Sequence, residues 1–151
     1  MSDDTDILLS FYNQARSEMR HIEEQRATTT NMLLVIMSAI VGFITQQNLS
    51  VNLIPVFLLM IALGIYGDLL IMKLYERHQL AQNRSESWAK QINKLHPKSN
   101  LLKIRDDADE KHSAKFAWLH KKLHVHSLWI ILYTTFIIGG ITMTAIVLLQ
   151  G

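Results

Sequence analysis

The chain has 151 residues, of which 49% are hydrophobic and none is cysteine, and its formal net charge is +2. The lack of cysteine excludes disulfides, thiol catalysis and cysteine-based zinc sites. The hydrophobic residues are concentrated in three blocks, which disfavours a soluble domain built around one shared core.

Residues 1–27 are predicted to form a charged N-terminal helix on the cytoplasmic side of a membrane. The first ten residues carry three aspartates and no Lys or Arg, so no cleavable signal peptide is expected. One face of the helix is predicted to pack on a partner helix, because apolar and weakly polar residues recur alternately four and three positions apart. This stripe consists of Leu8, Tyr12, Ala15, Met19, Ile22 and Arg26.

Residues 28–73 are predicted to form a transmembrane hairpin with spans at about 29–45 and 53–72. Crossing the hydrocarbon core takes about 20 mostly apolar residues, which the second span reaches and the shorter first span approaches. The alternative is a buried helix pair in a soluble bundle. A turn centred near residue 49 or 50 places Asp68 opposite Thr30 and Asn31, and it places Glu23 near Glu76 and Arg77.

Residues 74–124 are predicted to form a cytoplasmic helical hairpin that turns at Pro97, since the residue before a proline disfavours helical geometry. Ser99 or Asn100 is expected to cap its second helix. That helix is expected to run unbroken into a third span at residues 125–151. The two packing stripes of the hairpin are Leu74, His78, Ala81, Ser85, Trp88, Ile92 and Leu95, and then Ile104, Ala108, His112, Phe116, Leu119 and Leu123.

The distribution of basic residues predicts the topology. Residues 1–27 hold three of the fifteen Lys and Arg residues, and residues 73–124 hold the other twelve, whereas the turn at 46–52 and the last two residues carry no charge. The positive-inside rule therefore places the N-terminus and the long loop in the cytoplasm and the C-terminus outside. The predicted class is an all-α membrane protein with three transmembrane helices and long cytoplasmic helical extensions.

Asp68 is the candidate functional residue inside a span, since an ionisable side chain at membrane depth is costly unless it is paired or hydrated. It can line or gate a pore, or it can serve a structural, interfacial role with Thr30 and Asn31 as hydrogen-bond partners. Gly64 and Gly67 precede it and favour close helix packing, either within one chain or between chains. Trp88, Ile92 and Phe116 are expected to pack in the cytoplasmic helices.

Several ligand hypotheses remain open for the cytoplasmic side. His120 and His124 share a helix face and form a weak metal candidate, but no carboxylate accompanies them, so interfacial histidines are favoured and no metal or other cofactor is expected. The basic segment from Lys73 to Arg105 can attract anionic lipids, a nucleotide or RNA, but the predicted topology alone already explains its charge and is the favoured interpretation. An acidic run follows it directly, at residues 106–110, and DNA binding is not expected.

The pair of spans with a tight turn, flanked by Arg20-His21-Ile22-Glu23-Glu24-Gln25-Arg26 and by Lys73-Leu74-Tyr75-Glu76-Arg77-His78, resembles small bacterial membrane effectors of the SLATT type. The resemblance covers roughly residues 10–95 and concerns architecture. It implies a multi-pass protein of the bacterial inner membrane that acts in defence against phage. The third span departs from the simplest two-span pattern of that family.

No arrangement of nucleophile and base, glycine-rich phosphate loop or paired carboxylates can be assembled, so an enzyme is not expected. The favoured function is an oligomeric effector or channel-like subunit whose cytoplasmic helices sense a protein or ligand and alter membrane permeability. The alternative is a membrane anchor or scaffold that docks a soluble cytoplasmic partner. A holin-like protein and a transporter subunit are the remaining, less favoured classes.

Overall fold

The computed structural model describes residues 2–117 and 125–150, and within these ranges the chain forms helices and short connections without any strand. Helix α1 spans Ser2–Thr45, α2 spans Ile54–Leu95, α3 spans Leu101–Lys115 and α4 spans Val125–Gln150. Short 3₁₀ helices at Val51–Leu53 and Pro97–Ser99 precede α2 and α3. The predicted all-α class is confirmed.

Three helical segments are long and apolar enough to cross a membrane, namely Asp4–Thr45, Val51–Leu95 and Ser127–Gln150. Each contains one of the three hydrophobic blocks of the sequence. Length and composition are thus compatible with a multi-pass membrane protein.

The connection between α2 and α3 follows the local sequence. Helix α2 ends at Leu95, two residues before Pro97, as the sequence predicts. Asn100 is the residue before α3 and adopts a left-handed conformation with φ 50°, which asparagine tolerates better than most residues. Its side chain makes no capping hydrogen bond, and the hydroxyl of Ser99 instead donates to the carbonyl of His96 at 2.7 Å.

The prediction of an unbroken helix from α3 into the third span is wrong. Helix α3 ends at Lys115, and Phe116 leaves helical geometry with φ −117° and ψ 29°. The part of the predicted stripe that the structure describes is also exposed rather than packed, with Ile104 at 63% and Phe116 at 41% exposure, while Leu119 and Leu123 lie outside the described residues. Periodicity alone suggested a packed helix, but no described helix of the chain covers this face.

The chain divides into two compact units. We call residues 25–74 and 125–151 the apolar unit and residues 1–24 and 75–124 the polar unit. The apolar unit is a three-helix bundle of the second half of α1, the first half of α2, and α4. One core cluster joins Leu33, Ile71 and Tyr133, and a second joins Leu53, Phe57 and Val147. Both clusters require α2 and α4 to run antiparallel.

In the polar unit, the first half of α1 pairs with the second half of α2. Its buried residues follow the predicted alternation of four and three, and they are Ala15, Met19, Ile22, Ala81, Ser85 and Ile92. Phe11 stacks on Trp88 with ring centroids 5.4 Å apart. Leu95, the last residue of the predicted α2 stripe, is exposed.

Candidate functional sites

Asp68 lies in the apolar unit at the contact between α2 and α4. Its Oδ2 accepts a hydrogen bond from the Thr134 hydroxyl at 3.2 Å. Its Oδ1 is buried and has no hydrogen-bond partner among the described residues. A buried polar atom without a partner costs roughly 1–3 kcal/mol, and more where it belongs to a charged group. The carboxylate is therefore only half satisfied inside one chain.

The glycines beside Asp68 allow α4 to approach α2 closely. A Cβ atom built on Gly67 would lie 2.5 Å from the ring of Tyr133, and one on Gly64 would lie 2.6 Å from Ile137 Cγ1 and 3.1 Å from the Tyr133 carbonyl oxygen. Gly140 has the matching role on α4, where a Cβ would lie 3.0 Å from the Phe57 carbonyl oxygen. The small residues that the sequence marked for packing thus act within the chain and fix the position of Asp68.

The predicted partners of Asp68 on α1 are not its hydrogen-bond partners in the structure. Thr30 is 1% exposed, but its hydroxyl has no hydrogen-bond partner among the described residues. Asn31 is exposed. The sequence pattern predicted that Asp68 faces α1 across the short turn. In the structure, the face of α2 that carries Gly64 and Gly67 packs against α4 beside Asp68.

Thr134 and Tyr133 are the residues that the sequence did not identify. The available signal was the placement of small residues on α2 and α4, since glycines at matching depths on antiparallel helices mark a close contact. Trp129, one helical turn before Tyr133, packs against the same core cluster. Its indole Nε1 is buried without a hydrogen-bond partner in the described part of the chain.

The polar unit contains a second candidate site, a groove of about 1140 Å³ between the α1–α2 pair and α3. Helix α1 contributes the wall that carries Tyr12, Arg16 and Arg20, which follow one another at single-turn spacing on one face. The remaining lining residues come from all three helices, and they are Leu9, Asn13, Met19, Glu23, His78, Gln82, Ser85, Glu86, Ala89, Ile92, Leu101, Leu102, Arg105 and Asp109.

On the α3 side of this groove, the guanidinium of Arg105 is paired with the neighbouring carboxylate of Asp106. Arg105 donates to Asp106 Oδ1 from Nε at 3.1 Å and from a terminal guanidinium nitrogen at 2.8 Å. This hydrogen bond, opposed by some desolvation and assisted by the charges of Asp106, Glu86 and Asp109, raises the pKa of Arg105 above its usual value. The guanidinium of Arg105 is therefore held by Asp106.

The α1 side of the groove is not compensated in the same way. Neither Arg16 nor Arg20 forms an ion pair with any described residue. Glu23 lies 3.5 Å from His78 Nε2, close to the predicted level of Arg77. Arg77 and Arg84 instead flank Glu18, at 3.8 and 4.0 Å, and none of these three residues lines the groove.

The structure places the three predicted packing residues differently. Trp88 is partly buried against Phe11, and Ile92 is 8% exposed in the polar unit. Phe116 does not pack into the described polar unit, although its ring lies 4.9 Å from that of His112 and 5.6 Å from Lys115 Nζ. Two of the three side chains thus support the α1–α2 pair.

The described residues contain no group of three or more His, Asp and Glu side chains that could hold a metal ion. The weak metal candidates His120 and His124 lie outside the described residues.

Comparison with known proteins gives no match: no family model fits the chain, and no curated protein or solved structure is significantly similar to it.

Proposed function

We propose that the chain is a subunit of an oligomeric effector or channel of the bacterial inner membrane, in which Asp68 contributes to a permeation path or its gate. The observation that carries the proposal is the half-satisfied carboxylate at the α2–α4 contact, with Oδ2 bonded to Thr134 and Oδ1 buried without a described partner. Lipid cannot supply the missing hydrogen bond. Water in a pore or a polar group of a second copy can.

The proposed topology has the N-terminus and the polar unit in the cytoplasm and the C-terminus outside. It rests on the confinement of all fifteen Lys and Arg residues to residues 16–26 and 73–122. The outward side chains of the apolar unit suit lipid contact, because its helices expose many large apolar residues. Examples are Val35, Leu69, Ile131, Ile138 and Leu148, all more than half exposed.

Oligomerisation follows from the number of spans, since three helices of one chain cannot enclose a pore. The architecture-level resemblance to SLATT-type proteins supports an effector that damages the membrane in defence against phage. In this proposal the polar unit senses a cytoplasmic protein or ligand and changes the packing of the spans. No enzymatic step is proposed.

Induced expression with a membrane-potential dye tests this function. We expect the wild-type protein to depolarise cells under its triggering condition and Asp68→Asn to do so at least several-fold less. Asp107→Asn is the matched control, because it removes one carboxylate charge from the exposed surface of α3. Unchanged potential and growth with the wild-type protein, or equal depolarisation by all three proteins, would contradict the proposal.

A second candidate function is a membrane anchor that docks a soluble cytoplasmic protein. The exposed apolar residues of α3 favour it, since Leu101 and Ile104 are 53% and 63% exposed on a helix without buried residues, and Phe116, directly after the helix, is 41% exposed. Affinity purification would then recover one cytosolic protein in stoichiometric amount. Ile104→Asp would abolish that capture and Asp68→Asn would leave it unchanged. For a pore, Asp68→Asn is instead the variant that loses function.

A further inference from the structure

The groove of the polar unit has the mixed apolar and polar lining of a small-molecule site and is somewhat larger than most such sites. Ligand pockets commonly measure about 300–1,000 Å³ and combine apolar lining with a few well-placed polar groups. This groove has a volume of about 1140 Å³, with Leu9, Met19 and Ile92 among its apolar residues and Ser85 and Gln82 among its polar ones. Ser85 is 4% exposed, so its position is fixed by packing.

The arginines of α1 define the charge that the groove can accept. Arg16 and Arg20 are four residues apart, which puts their Cβ atoms about 5–6 Å apart on one helix face. A guanidinium forms paired hydrogen bonds with phosphate oxygens, and two of them at this spacing can hold one phosphate or two adjacent ones. Tyr12 lies one turn before them and also lines the groove.

We infer that the groove of the polar unit binds a small phosphorylated molecule, with its phosphate held by Arg16 and Arg20. Three carboxylates also line the groove, those of Glu23, Glu86 and Asp109, and each lies near a basic side chain. Glu23 is next to His78, and Glu86 and Asp109 act on Arg105. As a regulatory site, the groove rests on the proposed function, since it would be the sensor of the proposed effector.

Equilibrium binding to the full chain in phosphatidylcholine nanodiscs tests the inference. Inorganic pyrophosphate and ADP are the soluble probes. In a parallel arm, nanodiscs containing phosphatidic acid replace the soluble phosphate with a lipid headgroup, and hydrogen exchange of residues 9–23 reports its binding. Circular dichroism confirms that each variant retains the wild-type helix content.

We expect Arg16→Gln and Arg20→Gln each to weaken binding at least about tenfold, because a charge-assisted hydrogen bond is lost. Arg84→Gln is the matched control, since it removes the same charge from the polar unit outside the groove. Saturable, arginine-dependent binding of ADP or pyrophosphate identifies a soluble ligand. Arginine-dependent protection by phosphatidic acid alone identifies a lipid headgroup, and both results support the inference.

The inference is overturned if neither probe nor phosphatidic acid binds, or if Arg84→Gln weakens binding as much as Arg16→Gln does. Because binding is measured without any permeability readout, the two proposals can fail separately. Depolarisation without phosphate binding would contradict only the proposed ligand site. Phosphate binding without depolarisation would contradict only the proposed pore function.

Discussion

Asp68 and Thr134 form the polar contact that links α2 and α4 inside the apolar unit. In the proposed topology Asp68 lies within a span, where a helix–helix hydrogen bond contributes about 0.6 kcal/mol on average, which is less than the cost of burying a carboxylate at membrane depth. The pair therefore does not explain by its own stability why an aspartate occupies this position. We assign Asp68 a functional role because the cost of burying its carboxylate exceeds the contribution of its hydrogen bond to Thr134.

Opposite effects on stability are expected from two substitutions in this pair. Asp68→Asn keeps an acceptor for Thr134 and removes the formal charge, so the unfolding temperature should stay the same or rise. Thr134→Val deletes the donor at nearly constant volume and leaves the carboxylate without its described partner, which should cost about 1 kcal/mol or more. Thermal unfolding in detergent measures both. A loss with Asp68→Asn as large as that with Thr134→Val would indicate a purely structural aspartate.

Asn100 fixes the turn between α2 and α3 through its backbone conformation. An ordinary L-residue in the left-handed region costs about 1–2 kcal/mol, from which glycine is exempt. We expect Asn100→Gly to leave the turn intact and Asn100→Ala to destabilise it by about 1 kcal/mol. Hydrogen exchange at the amide of Ile104, which donates to the Asn100 carbonyl oxygen, reports the difference. Equal exchange rates in the two variants would contradict this explanation.

At the scale of helices, the close α2–α4 contact depends on glycines, which have no side chain at the points where the two helices meet. Gly67→Ala should destabilise the apolar unit by about 1–3 kcal/mol, since the new methyl group overlaps the ring of buried Tyr133. Gly42→Ala is the control, because a Cβ there meets nothing within 4 Å and alanine favours the helix. Comparable losses for the two variants in a detergent melt would show that the contact is not tight.

The α1–α2 pair of the polar unit has a thin core, with alanine and serine at buried positions. The stacked rings of Phe11 and Trp88 add to its apolar contact. Trp88→Ala should destabilise the pair by about 1–2 kcal/mol, less than the cost of removing a fully buried aromatic, because Trp88 is only partly buried. Hydrogen exchange across residues 8–22 should accelerate accordingly. Unchanged protection of this segment would show that other contacts hold the pair.

The sequence predicted the two long helices because hydrophobic periodicity and proline placement are local signals. Helix α2 ends where Pro97 requires it, and the buried residues from Ala15 to Ile22 follow the predicted stripe. The break at Phe116 has no proline or glycine to mark it, so the pattern was extended through it. The stripe of Ile104 and Phe116 has the right spacing, but spacing does not show whether a partner helix is present.

The contact of Asp68 with Thr134 was not predictable in the same way, because it depends on which helix occupies the glycine face of α2. The prediction assumed that helices adjacent in the sequence pack against each other, and it therefore placed Asp68 opposite Thr30. Close approach of α4 instead favours contacts between residues 66 positions apart. The antiparallel pairing of α1 and α2 about their short turn predicted contacts more accurately in the polar unit. There Phe11 stacks on Trp88 and Glu23 lies next to His78, close to the predicted levels.

For the whole molecule, charge and hydropathy are arranged along the chain rather than around one core. The apolar unit presents large hydrophobic side chains outward, and the polar unit carries almost all the charged residues. Such a division suits one half in lipid and the other in water. The proposed function uses both halves, with sensing in the polar unit and permeation in an assembly of apolar units.

The most direct test of the central claim is ion flux through the purified protein in liposomes. The account predicts cation flux with the wild-type chain, at least about tenfold less with Asp68→Asn, and wild-type flux with Asp107→Asn, since acidic side chains favour cations in a pore. Chemical crosslinking in the same liposomes should show more than two copies per assembly. Absence of flux from the oligomeric wild-type protein, or equal flux from Asp68→Asn, would contradict the account.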